Sequence, residues 1–237
     1  MQSGRSWGRA WRDFAPVALV LALCPVVALL APGPAVPLSH IRALVDEERA
    51  LGLFFEPSLH QWVAAHPPLL VLGQIGYVVA HVPILLTVLV WVWIARPAAF
   101  RLVRDTFVAT QAIALFGYLL VPTAPPRMIA GLGYEDVASL GTHGIERVLM
   151  SPYAAMPSGH AAFALLVAGT VFALARPWPV RVLALLYPLG VLAEILATGN
   201  HIWLDALGGA VTAAAGFAIA RAVHPAPRLQ VASQVEA

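Results

Sequence analysis

The sequence predicts an all-α polytopic membrane protein: a bundle of six transmembrane helices with an amphipathic helix lying in the interface. Three observations predict it. Of the 237 residues, 60% are hydrophobic and only 11% are charged, against about twice that charged fraction in soluble domains. The apolar residues gather in six runs, each near the roughly 20 residues needed to cross the hydrocarbon. The arginines are distributed unevenly between alternate connections, as topology requires. One bundle accounts for the whole length, so residues 1–237 read as a single membrane domain. Its core lies at about 68–222, with short tails at 1–14 and 223–237.

The first run, near 15–31, follows Arg5, Arg9 and Arg12. A signal peptide has a similar start, but Ala31-Pro-Gly-Pro-Ala35 is poor cleavage context, so a retained helix is expected. Residues 39–66 differ, because Asp46, Glu47, Glu48 and Arg49 alternate with Ile41, Leu44, Val45, Leu51, Leu53, Phe54 and Phe55. That pattern suits an interfacial helix, broken near Pro57. The second span is expected near 68–95 and the third near 106–122. Residues 122–156 form a long loop with Pro122, Pro125, Pro126 and several glycines, and loops of that length are often functional. Spans near 157–175, 180–197 and 202–222 complete the bundle. Trp62, Trp91, Trp93, Trp178 and Trp203 mostly fall near span ends, as an aromatic belt would.

With a cytoplasmic N-terminus, the inner segments hold Arg5, Arg9, Arg12, Arg96, Arg101, Arg104, Arg176, Arg181, Arg221 and Arg228. The outer segments hold only Arg42, Arg49, Arg127 and Arg147. Both termini are therefore expected in the cytoplasm, and the interfacial helix and the 122–156 loop outside. A bacterial plasma membrane is the expected setting. The formal net charge is +2 and the basic residues are scattered, so there is no nucleic-acid footprint. Cys24 is the only cysteine, which excludes an internal disulfide and suits a packing role.

This topology places three separated features at one depth. The fourth span opens with Met156-Pro-Ser-Gly-His160, the sixth with Gly199-Asn-His-Ile-Trp-Leu-Asp205, and the loop carries Pro122-Thr-Ala-Pro-Pro-Arg127. Ionisable groups at membrane depth are functional candidates. His201 and Asp205 are four apart, so on a helix they share a face. Asp205 can then hold one ring nitrogen and leave the other as nucleophile or base. Alternatively the pair merely pins a helix end. Pro157 suits a first helical position. Ser158, Gly159 and His160 would then fill a first turn whose N–H groups favour an anion. The plainer reading is an ordinary capped helix start. Arg127 offers a forked cation for phosphate oxygens, or is a solvated loop charge. Arg147 and His143 are weaker candidates of the same kind. His81, beside Pro83 and a turn from Tyr77, reads as a substrate contact or as a buried histidine at a proline kink.

At these residues the chain resembles the type 2 phosphatidic acid phosphatase superfamily, over roughly residues 70–222. Pro157–His160 matches the family's Pro-Ser-Gly-His motif, and His201 with Asp205 matches its His-x-x-x-Asp motif. Thr123-Ala-Pro-Pro-Arg127 is similar to the first motif of the inositol phosphorylceramide synthase-like branch. The resemblance implies a metal-independent lipid phosphatase or phosphotransferase with no cofactor. It implies that His201 forms a phosphohistidine, Asp205 orients it, and His160 protonates the leaving oxygen. Arg127, Ser158 and Gly159, with Arg147 as a weaker candidate, would hold the phosphoryl oxygens of a membrane lipid phosphate. Two family cations are missing: the lysine seven before the first-motif arginine is Leu120, and the arginine six before the last histidine is Ile195. That fits the synthase-like branch, including inositol-phosphate transfer, better than a plain phosphatidate or polyprenyl phosphate phosphatase. Arg147 is a candidate replacement for one cation, and Glu194 a candidate partner for an arginine or an acceptor hydroxyl. Two other classes stay open at this point. One is a metallohydrolase built on His160, His201 and Asp205, and the other is a non-catalytic lipid-binding protein.

Overall fold

The computed structural model describes residues 7–77, 81–134 and 151–225. Described residues are helical or irregular, and one isolated parallel bridge joins Thr123 to Ala154. Three helices are long and apolar enough to cross a membrane: Gly8–Leu29, Trp178–Ala197 and Trp203–Val223. His81–Ala95 and Gly159–Leu174 are apolar but shorter. The chain is an integral membrane protein, as its composition predicts.

The first long run is two helices in one line, α1 (Trp7–Ala22) and α2 (Cys24–Leu29), with Pro16 and Pro25 inside the run. Cys24 is buried and accepts a hydrogen bond from the Gln111 amide at 3.3 Å, consistent with a packing role. The amphipathic stretch is α3 (Ala35–Ala50) and α4 (Glu56–Ala64). Its break precedes Pro57 because α3 ends at Gly52, whose φ of 69° is the left-handed conformation that closes a helix. The Gly52 amide donates to Arg49 O and the Leu53 amide to Glu48 O, the paired bonds of a Schellman ending. Ile41, Val45 and Glu48 lie on one buried face, spaced by four and three.

The span expected at 68–95 is not regular α-helix throughout its described residues. It contains α5 (Pro67–Ile75), a wider helical turn at Gly76 and Tyr77, and α6 (His81–Ala95). Where a third span is expected near 106–122, the chain forms α7 (Pro97–Leu120), which begins earlier than hydropathy alone suggests. Pro97 suits its first position, and Asp105 accepts from Arg104 and from His224, each at 2.6 Å. The last three are α8 (Gly159–Leu174), α9 (Trp178–Ala197) and α10 (Trp203–Val223).

Helix α10 packs most extensively on α7 and also packs on α8. Small residues permit this. Gly209, Ala213, Gly216 and Ala220 form a buried stripe along α10. A β-carbon on Gly209 would collide with the Ser158 carbonyl, and one on Gly216 with Thr110. The close approach at Gly209 brings the starts of α8 and α10 together, which is what positions the site.

Candidate active site

Three backbone ties gather the motif segments. The Thr123 amide donates to Tyr153 O at 2.9 Å, and Ala155 N to Thr123 O at 3.1 Å, fastening the first-motif loop to the chain entering α8. The Arg127 amide donates to Gly199 O at 3.2 Å, fastening that loop to the turn before His201. The Ser158 amide donates to Asp205 O at 2.9 Å, fastening the start of α8 to the start of α10.

The local geometry refines the expectation at both helix starts. Pro157 is not the first helical residue. Helix α8 begins at Gly159, and Ser158 is its N-cap, with Oγ accepting the Ala161 amide at 3.3 Å. A serine competes well for that role because its hydroxyl satisfies an otherwise orphaned N–H. Gly159 and His160 then occupy the first turn. His201 and Asp205 also do not share a helix face, because α10 begins only at Trp203. Asp205 sits in its first turn and reaches back: Oδ2 accepts the Ile202 amide at 3.1 Å and faces His201 Nδ1 at 3.4 Å. The cap and the histidine partner are thus one carboxylate oxygen.

His201 is 1% exposed, and its Nε2 has no partner among the described residues. With the Nδ1 proton directed at Asp205, the lone pair of the imidazole resides on Nε2. The His160 ring lies 5.7 Å away, centroid to centroid. Tyr77 stacks on His160 at 4.1 Å, and its carbonyl lies 3.3 Å from His160 Nε2. His81 meets the His160 ring edge-on at 4.7 Å. It also bonds Glu194 at 3.1 Å and the Tyr187 hydroxyl at 3.2 Å. His81 is therefore a buried, bonded histidine that braces His160.

Arg127 comes to the same place. Its guanidinium donates to the Asn200 side-chain carbonyl, and the Asn200 amide donates to Thr198 Oγ1 at 2.8 Å. Asn200 thus aims the arginine from the residue next to His201. Ser158 is fully buried, and the Tyr118 hydroxyl approaches within 3.0 Å of the β-carbon position of Gly159. His160, His201, Asp205, Arg127, Ser158 and Gly159 therefore share one site. Arg147 and His143 lie outside the described residues. Among the described residues, no three of His, Cys, Asp and Glu are grouped to hold a metal ion.

The positions of the two missing cations explain themselves. Leu120 is 68% exposed at the end of α7. Ile195 is fully buried among Val191, Leu196, Ala164 and Ala206, and its carbonyl accepts the Asn200 and His201 amides.

Sequence reasoning missed four contributors: Tyr77, Asn200, Glu48 and Glu56. The glutamates are fully buried. Glu56 Oε1 accepts the Trp203 amide and Glu48 Oε1 the Leu204 amide, each at 2.9 Å. Burial is the main cause that raises the Glu48 carboxyl, to about 8. The Leu204 amide opposes it, and Glu56 and Asp205 add to it. Tyr134, beside them, is raised by burial and then by Glu56, Glu48 and Asp205.

The family model described as PAP2 superfamily matches residues 42–219. No curated protein and no solved structure matches the chain.

Proposed function

The chain belongs to the PAP2 superfamily, and from that membership we propose a lipid phosphatase or phosphotransferase working through a phosphohistidine on His201. Members are phosphatases, so the coarse activity is of phosphatase type on a membrane lipid phosphate. The observation that carries the finer reading is the buried, unpartnered Nε2 of His201, with Nδ1 held by Asp205 and the His160 ring alongside.

In this reading the Nε2 lone pair attacks phosphorus and the bond to the lipid oxygen breaks. His160 gives that oxygen its proton. Water or an alcohol then returns a proton to His160 and attacks phosphorus, the P–N bond breaks, and His201 is restored. Arg127, Ser158 and the first-turn amides at Gly159 hold the phosphoryl oxygens. Arg147 is retained as a further contact. No metal or cofactor enters the scheme.

An alcohol acceptor, as in the inositol phosphorylceramide synthase-like branch, is favoured by the Thr123–Arg127 segment at the site and by the loss of cations at Leu120 and Ile195. A plain phosphatidate or polyprenyl phosphate phosphatase is the second reading. The arginine bias supports six spans, the interfacial α3–α4 pair outside, both termini inside and an extracytoplasmic site.

The test is incubation of purified protein with a panel of lipid phosphates, with and without ceramide, diacylglycerol and sugar alcohols, followed by product masses. Rapid quench should trap an acid-labile phosphoprotein in wild type and none in His201→Ala. Turnover without any trapped intermediate, and surviving in His201→Ala, would overturn the scheme.

A further inference from the structure

Three consecutive amides at the start of α10 are each taken by a different carboxylate. Ile202 N goes to Asp205, Trp203 N to Glu56 and Leu204 N to Glu48. Two of these carboxylates come from far away in sequence, from the last turn of α3 and the first of α4. A helix N-terminus is stabilised by one negative charge. Three fully buried carboxylates converging there repel one another, away from the screening of bulk solvent. Glu48 and Glu56 each spend Oε1 on an amide, and each keeps an Oε2 with no partner among the described residues. A proton held between carboxyl groups answers both the repulsion and the unfilled oxygens.

We propose that Glu48 and Glu56 are positioning residues. By sharing one proton, they hold the first turn of α10 and thereby the Asp205 carboxylate that aims His201. The inference rests on the phosphohistidine reading for its kinetic consequence, though not for its structural one. The groups facing the pair are few. Helix α10 contributes Asp205, with His201 just before it. Helix α4 contributes His60, whose ring lies 5.2 Å from that of Tyr134. Tyr134 and Arg127 both pack against Gly199. On α3 itself Asp46 and Arg49 point to solvent and pair with each other.

The consequence is a pH dependence with a fixed sign. An unfolded glutamate ionises at its ordinary value near 4.5, whereas folded Glu48 keeps its proton to about 8. Between these values the folded chain holds the extra proton, so stability falls as pH rises and levels off above about 8. Above that point a new negative charge sits beside Asp205 and strains the cap. If only the protonated pair is competent, the wild-type rate at about pH 9 is roughly a tenth of its plateau.

The experiment uses the full-length protein in lipid nanodiscs, with Glu48→Gln, Glu48→Ala and Glu56→Gln. Glutamine keeps an oxygen for the amide and mimics the protonated acid. The unfolding midpoint of wild type should fall between about pH 6 and pH 9, and that of Glu48→Gln should fall much less. Hydrolysis of para-nitrophenyl phosphate should show an alkaline limb near pH 8 that disappears in Glu48→Gln. Glu48→Ala should be slow at every pH, through kcat rather than KM. An unfolding midpoint with the same pH dependence in wild type and Glu48→Gln would overturn the proposal, as would an alkaline limb left in place by that variant. If no protein hydrolyses any phosphate ester at any pH, the phosphohistidine reading falls, and the unfolding curves still decide the carboxyl pair.

Discussion

His160 and His201 sit side by side, yet their surroundings predict different dependence on the leaving group. His201 has its Nδ1 on Asp205 and an Nε2 with no partner among the described residues, so in the proposed scheme the covalent step cannot begin without it. His160 is stacked on Tyr77 at the helix start and is needed only where the departing oxygen demands a proton. A lipid alkoxide does, and losing the acid should cost about 10²–10⁴ in rate. A phenolate that leaves unprotonated does not. His160→Ala should therefore be much less impaired on para-nitrophenyl phosphate than on phosphatidic acid, while His201→Ala is inactive on both. The opposite pattern would reverse the roles. That these two histidines come together with Asp205, Arg127, Ser158 and Gly159 was legible, because each falls in a short motif with its own chemistry. Asn200 and Tyr77 were not, since their roles exist only once Gly199 and α5 have been brought alongside. Glu48 had a readable signal. It follows Ile41 and Val45 at seven and three residues, which puts a carboxylate on the apolar face of α3.

At the scale of elements, hydropathy located the apolar helices Gly8–Leu29, His81–Ala95, Gly159–Leu174, Trp178–Ala197 and Trp203–Val223 but not the breaks between helices. The 68–95 run contains a wider turn at Gly76 and Tyr77, which delivers the Tyr77 ring to His160. Composition averages over such a turn and cannot see it. The helix starts were also misjudged by one or two residues, because Ser158 outcompetes Pro157 as the boundary and Asp205 caps its own helix. The approach of α10 to α8 gives a direct test. Gly209→Leu should separate Ser158 from Asp205, since no side chain fits between that backbone and the Ser158 carbonyl. Overpacking of this kind costs about 1–3 kcal/mol. We expect a lower unfolding midpoint and a loss of activity far larger than that of Gly190→Leu. A β-carbon at Gly190 meets nothing within 4 Å. Equal effects would show that the α8–α10 contact does not govern the site.

For the whole molecule, the decisive quantity is sidedness. Arginine bias predicts α4 outside and the α8–α9 connection inside. In a Cys24→Ser background, Ser58→Cys should react with an impermeant thiol reagent in intact cells, and Arg176→Cys only after lysis. Both positions are exposed in the fold. The reverse labelling would place the site in the cytoplasm. The all-helical class was legible because a bilayer permits so few alternatives. What holds the site together was not, because it is written in the main chain. Thr123 to Tyr153 and Ala155, Arg127 to Gly199, and Ser158 to Asp205 are all amide-to-carbonyl bonds. Nearly any amino acid can make such a bond. The knot therefore survives changes of side chain at the residues that tie it. The chain's course past the two histidines is thus set by bonds that carry no side-chain signature, and a change of residue beside them leaves that course as it was.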